Sequence, residues 1–145
     1  MVENDVIEDH TGPITWISNP VLVPKPDGNL RITVDLRQVN KALEDPHLPI
    51  PRVDDILPMF SGKKIFSKLD LKTAFHQIEL DEASRHLTVF RAGDKLKRYK
   101  RLAMGSLPAS GELNKRLHPV LAHIQSAEII HDDIVIATTD QTNKI

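Results

Sequence analysis

The sequence predicts a mixed α/β (α+β) fold, a mostly antiparallel sheet with helices packed on one face. Three observations predict it. Two β-rich runs, Asn19 to Pro24 and Leu30 to Val34, flank the turn signal Pro26-Asp27-Gly28-Asn29, a hairpin pattern. Glu112 to Ile124 places Leu113, Leu117, Val120, Leu121 and Ile124 at helical spacing. Two apolar, β-branched runs then enclose Asp132-Asp133 between Glu128 and Ala137. Strands and helices interleaved in this way belong to layered folds with helices on a sheet.

Taken in order, the elements have these grounds. After the first hairpin comes a polar connection. Pro51 then opens a short helix with an apolar face of Val53, Ile56 and Leu57, and Asp54 and Asp55 suit its first turn. Ile65 to Leu71 alternates apolar and polar residues up to Leu69 and reads as a strand whose end places Asp70 between Leu69 and Leu71. Leu87 to Arg91 and Leu96 to Leu102 read as strands around the hairpin signal Ala92-Gly93-Asp94-Lys95. In the following helix Pro119 predicts a kink or a division after Leu117, because a mid-helix proline costs about 3 kcal/mol. Glu128 to Ala137 reads as a tight hairpin with two carboxylates at its tip. The expected order is ββα-β-ββ-α-ββ.

Composition narrows the function classes. With 145 residues the chain suffices for one core. Hydrophobic residues at 40% and charged residues at 27% mark a globular sequence. No apolar run approaches the roughly 20 residues needed to span a bilayer. An acidic N-terminus (Glu3, Asp5, Glu8, Asp9) without an apolar signal core predicts an intracellular protein. Zero cysteines exclude disulfides, thiolate zinc sites and cysteine nucleophiles. Net charge is −1, yet Arg85, Arg91, Lys95, Lys97, Arg98, Lys100 and Arg101 face one acid, Asp94, over residues 85–101. Such an excess can neutralise phosphates, and it is equally the pattern of a solvated basic hairpin.

The carboxylates carry the chemistry. On a regular strand Asp132 and Asp133 would face opposite sides, but at a hairpin tip both can reach one edge. Carboxylates clustered among apolar strands need a compensating cation, and hard oxygen donors suit Mg²⁺. Asp70 supplies a third if its strand lies beside the hairpin, making a workable two-metal site. Alone, Asp-Asp in a turn is also ordinary turn chemistry.

Context comes from longer motifs. Phe66-Ser67-Lys68-Leu69-Asp70-Leu71-Lys72-Thr73-Ala74-Phe75-His76-Gln77-Ile78 closely resembles the first catalytic motif of reverse transcriptases from gypsy-type long-terminal-repeat retrotransposons. The run from Val23 to Arg37, Leu48-Pro49-Ile50-Pro51, Arg98-Tyr99-Lys100-Arg101-Leu102 and Asp132-Asp133 follow in the family's order, so that the similarity extends from Glu3 to Thr138. The resemblance implies a fingers and palm fold truncated before the thumb. It implies fingers over 1–60 and partial palm over 61–145, with an inserted fingers hairpin at about 85–104.

Further implications attach residue by residue. Asp70, Asp132 and Asp133 would be catalytic and hold two Mg²⁺, or Mn²⁺, with the Leu71 carbonyl as a further ligand. Lys25 and Arg31 would clamp the incoming triphosphate, and Phe75 would crowd a ribose 2′-hydroxyl. Arg91, Lys95, Lys97, Arg98, Lys100 and Arg101 would contact the nucleic-acid backbone. The implied activity is RNA-directed DNA polymerisation, with an RNA or DNA template-primer and deoxynucleoside triphosphates as partners. The chain would sit in the cytoplasm or an element particle, within a Pol polyprotein. Departures are Ile130 where the family has tyrosine, Met104 before Gly105, Pro108, Gly111 and Pro119. They leave two other classes open: an inactive remnant that folds or binds nucleic acid, and a palm scaffold reused for protein interaction.

Overall fold

The computed structural model describes residues 5–24, 26, 28, 30–44, 52–130 and 132–139. Lys25, the Leu48 to Pro51 run and His131 lie outside the described residues. In chain order the elements are β1 (Ile7–Asp9), β2 (Pro20–Pro24), β3 (Leu30–Val34), α1 (Arg37–Ala42), α2 (Val53–Ile56), β4 (Ile65–Asp70), α3 (Glu82–Arg85), β5 (Phe90–Ala92), β6 (Lys95–Tyr99), α4 (Ala109–Leu121), β7 (Ala127–Ile130) and β8 (Asp133–Thr138). The antiparallel pairing expected from sequence is present and is distributed over three sheets, β1-β6-β5, β2-β3 and β4-β8-β7. The chain divides into two compact units, each made of two stretches: residues 1–45 with 75–109, and 46–74 with 110–145.

In the first unit, β2 and β3 pair from Pro20↔Val34 to Pro24↔Leu30. The turn between them takes Gly28 to φ +80°, a conformation open to glycine at no steric cost. Gly93, at φ +67°, serves the same purpose in the two-residue turn joining β5 to β6. The core gathers Val6, Ile7, Val34, Leu36, Val39, Phe90, Tyr99 and Ala103, with Trp16, Leu43, Leu80 and Leu87 packed against them. Full burial of each large side chain is worth about 1.5–3 kcal/mol. The Phe90 and Tyr99 rings lie 5.7 Å apart, and burial pushes the Tyr99 hydroxyl up to about 12.

The second unit buries Ile56, Leu113, Asn114, Ile129, Ile134, Ile136 and Ala137. Ile134 and Ile136 share one face of β8, as period-two alternation requires, and Ile129 stands opposite Ile134 on β7. The aromatic pair Phe60–Phe66 meets edge to face at 5.8 Å.

Several expectations need correction. Residues 86–88 form a 3₁₀ turn, and β5 begins only at Phe90, because the Thr88 hydroxyl bonds back to the Arg85 carbonyl at 2.8 Å and closes a helical turn. The long helix spans Ala109–Leu121, three residues earlier at both ends than its apolar period implies. Pro119 does not divide it after Leu117; it sits in the last turn, where little helix remains to disrupt. In α2 only Ile56 is buried, while Val53 and Leu57 are exposed. β1, α1 and α3 lie where the sequence signals no regular element.

Candidate active site

All three aspartates belong to the second unit. Asp70 is the last residue of β4 and stands directly opposite Asp133, the first residue of β8. Asp133 also pairs with Ile130, leaving a two-residue turn that contains Asp132. Side chains directly opposite across antiparallel strands share a face, so Asp70 and Asp133 emerge together at the hairpin tip. β4 leaves this point through Thr73, held at φ +52°, and the Ala74 amide donates to the Leu71 carbonyl at 3.2 Å. A β-branched residue in the left-handed region is a strained one.

Like charges placed opposite one another repel. The compensation comes from Lys68, whose ammonium pairs with the Asp133 carboxylate at 2.7 Å. Lys68 precedes Asp70 by two and therefore shares its face. Its pKa is raised, first by the hydrogen bond and charge of Asp133 and then by the charges of Asp70 and Asp132. All three carboxylates thus act on one amine. The one feature of the sequence that marks Lys68 is its period-two spacing to Asp70.

Three carboxylates stand near one sheet end, oxygen donors of the kind a hard divalent cation prefers. Among the described residues, however, no three carboxylate or imidazole side chains are gathered round a common point. Asp133 is turned onto Lys68 instead.

The remaining candidate residues fall in the first unit. Arg31 lies on β3 opposite Val23 and is exposed. Phe75 lies half-buried in a 3₁₀ turn over Ala74–Gln77. Of the basic run, five members are engaged by acids: Arg85 with Glu8, Glu79 and Glu82, Arg98 with Glu8 at 2.7 Å and Glu82 at 2.5 Å, Lys97 with Asp9, Lys100 with Asp5, and Arg101 with Asp5 at 3.6 Å. β1 lies antiparallel to β6 with Glu8 opposite Arg98 and Asp9 opposite Lys97, so the local excess is largely neutralised at source. Arg91 and Lys95 flank the β5–β6 turn and are exposed. Asn40 was not singled out from sequence. Its side-chain amide donates to the Gly105 carbonyl and accepts from the Leu107 amide, both at 2.9 Å, fixing the Met104-Gly105 loop.

Residues 23–144 match the family described as reverse transcriptase (RNA-dependent DNA polymerase). The chain belongs to the reverse transcriptase family. This reverse transcriptase segment is 37% identical over 108 residues to a retrovirus-related Pol polyprotein from transposon 412 of Drosophila melanogaster, covering 73% of the chain and 9% of the relative. It is 29% identical over 129 residues to the transposon Tf2-3 polyprotein of Schizosaccharomyces pombe, covering 87% of the chain and 10% of the relative. The segment therefore spans about a tenth of these polyproteins. Among solved structures, native prototype foamy virus protease-reverse transcriptase superposes with a TM-score of 0.87 at 26% identity, over 96% of this chain and 18% of that one. The foamy viral enzyme in complex with RNA/DNA hybrid gives 0.85 at 24% identity, over 97% and 19%. The fold expected from the motifs is thus the fold found. Among the described residues no helix is long and apolar enough to cross a membrane.

Proposed function

We propose that this chain supplies the fingers and part of the palm of a gypsy-type retrotransposon reverse transcriptase, adding deoxynucleotides to a primer 3′-hydroxyl as a template directs. The observation that carries the proposal is the register of Asp70 against Asp133 with Asp132 in the turn beside them. In this reading Asp70, Asp132 and Asp133, with the Leu71 carbonyl, hold two Mg²⁺ or Mn²⁺. Bound there, the ions would lower the pKa of the attacking hydroxyl and stabilise the leaving oxygen. Residues 1–45 and 75–109 would act as fingers, and the aspartate-bearing unit as palm.

The chain's own groups divide the remaining work. Lys25 and Arg31, flanking the β2–β3 turn, would meet the triphosphate, where cationic donors make strong hydrogen bonds. The Phe75 ring would exclude a ribose 2′-hydroxyl. Arg91 and Lys95 would contact the template backbone directly, and Lys97, Arg98, Lys100 and Arg101 would do so only by exchanging carboxylates for phosphates. The foamy viral relative bound to RNA/DNA hybrid supports a template-primer as partner. The rest of a Pol polyprotein would provide the palm remainder and thumb.

The test is primer extension on an RNA template, using the polyprotein segment that contains this chain, with Mg²⁺ and then Mn²⁺. Asp133→Asn should reduce extension at least about a hundredfold, the loss expected when several kcal/mol of metal-borne stabilisation is removed. Unchanged extension by Asp133→Asn would exclude the assigned site. Nucleic-acid binding without extension by the unaltered segment would favour the inactive remnant.

A further inference from the structure

We propose that Lys68 is the built-in counter-cation of the carboxylate site, holding Asp133 until a divalent ion displaces it. The inference rests on the reading of Asp70, Asp132 and Asp133 as a metal site, and deepens it. The register forces the problem that Lys68 answers. Asp70 and Asp133 cannot separate without breaking the last β4–β8 pair, and two carboxylates so placed repel. Lys68 is on the same face, two residues back, opposite Val135. From there its amine reaches diagonally to Asp133 at 2.7 Å.

The two partners differ in freedom. The Lys68 side chain is 66% exposed and that of Asp133 is 23% exposed, so that the lysine can swing into solvent while the aspartate stays in place. An exposed pair of this kind is weak enough to be exchanged. While it persists, Asp133 is spent on an ammonium, in keeping with the lack of a gathered three-ligand group among the described residues. Lys68 therefore lowers repulsion in the metal-free protein and competes with the metal for one carboxylate. These two roles have opposite consequences for a variant lacking the charge.

The experiment follows Mn²⁺ binding by calorimetry and, separately, the thermal midpoint in excess chelator, for the unaltered chain and its variants. Lys68→Met keeps the aliphatic stem. It should bind Mn²⁺ about two- to fivefold more tightly, matching the worth of an exposed pair, and should melt earlier in chelator. A residue that merely supports the fold would weaken both quantities. Lys68→Arg, whose planar fork grips a carboxylate more firmly, should bind Mn²⁺ more weakly than the unaltered chain. Equal or weaker Mn²⁺ binding by Lys68→Met, or tighter binding by Lys68→Arg, would overturn the proposal. Asp70→Asn and Asp133→Asn serve as the second arm. Should they bind Mn²⁺ as well as the unaltered chain, the metal-site reading itself fails. Loss of Mn²⁺ in both, together with no gain in Lys68→Met, rejects the role of Lys68 alone.

Discussion

At the scale of single residues, strain and burial make the sharpest predictions. Thr73 occupies φ +52° at the exit from β4, a conformation that costs an ordinary residue roughly 1–2 kcal/mol. Thr73→Asn should therefore raise the free energy of unfolding by about 0.5–1 kcal/mol in urea titration, since asparagine tolerates this region. Arg85 is nearly enclosed, at 11% exposure, and bonds Glu8, Glu79 and Glu82 as well as the Leu80 carbonyl. Arg85→Met takes the donor from Glu79 and the Leu80 carbonyl, while Arg98 still holds Glu8 and Glu82, and should cost about 1 kcal/mol by the same measurement. The pH dependence has two steps. Burial lowers the pKa of His76 below its ordinary 6.5, so the unfolded chain takes up the proton first and stability falls as pH drops below 6.5. Asp35, held down to about 2 by its hydrogen bonds from Arg37, contributes stability above 3.8 that disappears between 3.8 and about 2. Urea midpoints collected from pH 8 to about pH 2 should show both, and His76→Gln should flatten the upper one. Of these four positions the sequence marks only Arg85, as a member of the basic run and not for its enclosure. Strain, enclosure and desolvation come from tertiary neighbours, whereas the aspartates announce themselves by residue type.

At the scale of elements, the hairpins and the short helix α2 were legible, and the short helices α1 and α3 were not. Gly28, Gly93 and the apolar runs around Asp132-Asp133 are local signals, and local turn chemistry determined all three hairpins. α1 covers Arg37–Ala42 with only Val39 buried, which gives no period to detect. Its start is fixed instead by Asp35, whose carboxylate accepts the Arg37 amide at 3.1 Å. β1 has three residues, and its acids read as a charged terminus because their partners on β6 are about ninety positions away in sequence. Helix α4 shows where a correct signal was over-weighted. Pro119 lies within its last turn, where its missing amide releases one carbonyl. Pro119→Ala should restore that bond and stabilise the chain by about 1 kcal/mol, less than the mid-helix value of about 3, as thermal melting followed at 222 nm would report.

At the scale of the whole molecule, charge and sheet edges set how the chain meets other macromolecules. The basic run suits a phosphate surface or a solvated hairpin by its sequence, and its strand β6 lies beside the acids of β1. A contact 90 residues away in sequence was invisible to a local count of charges. The consequence is measurable. Single-stranded RNA binding should depend only weakly on salt, and Asp5→Asn with Asp9→Asn should free Lys100, Arg101 and Lys97, steepening the log–log slope by about 2.1 at about 0.7 per cation. The sheet that carries Asp70 and Asp133 has a different exposure. Its order is β4-β8-β7, and β4 carries exposed Phe66 and Leu69 along a border where, among the described residues, nothing bonds its outer amides. A border of that kind is a template for another strand. Concentrated preparations of the isolated chain should therefore stick edge to edge, and a lysine in place of Phe66 should slow that self-association in light scattering. The strand that presents Asp70 is thus also an edge that lies open to the protein's own copies.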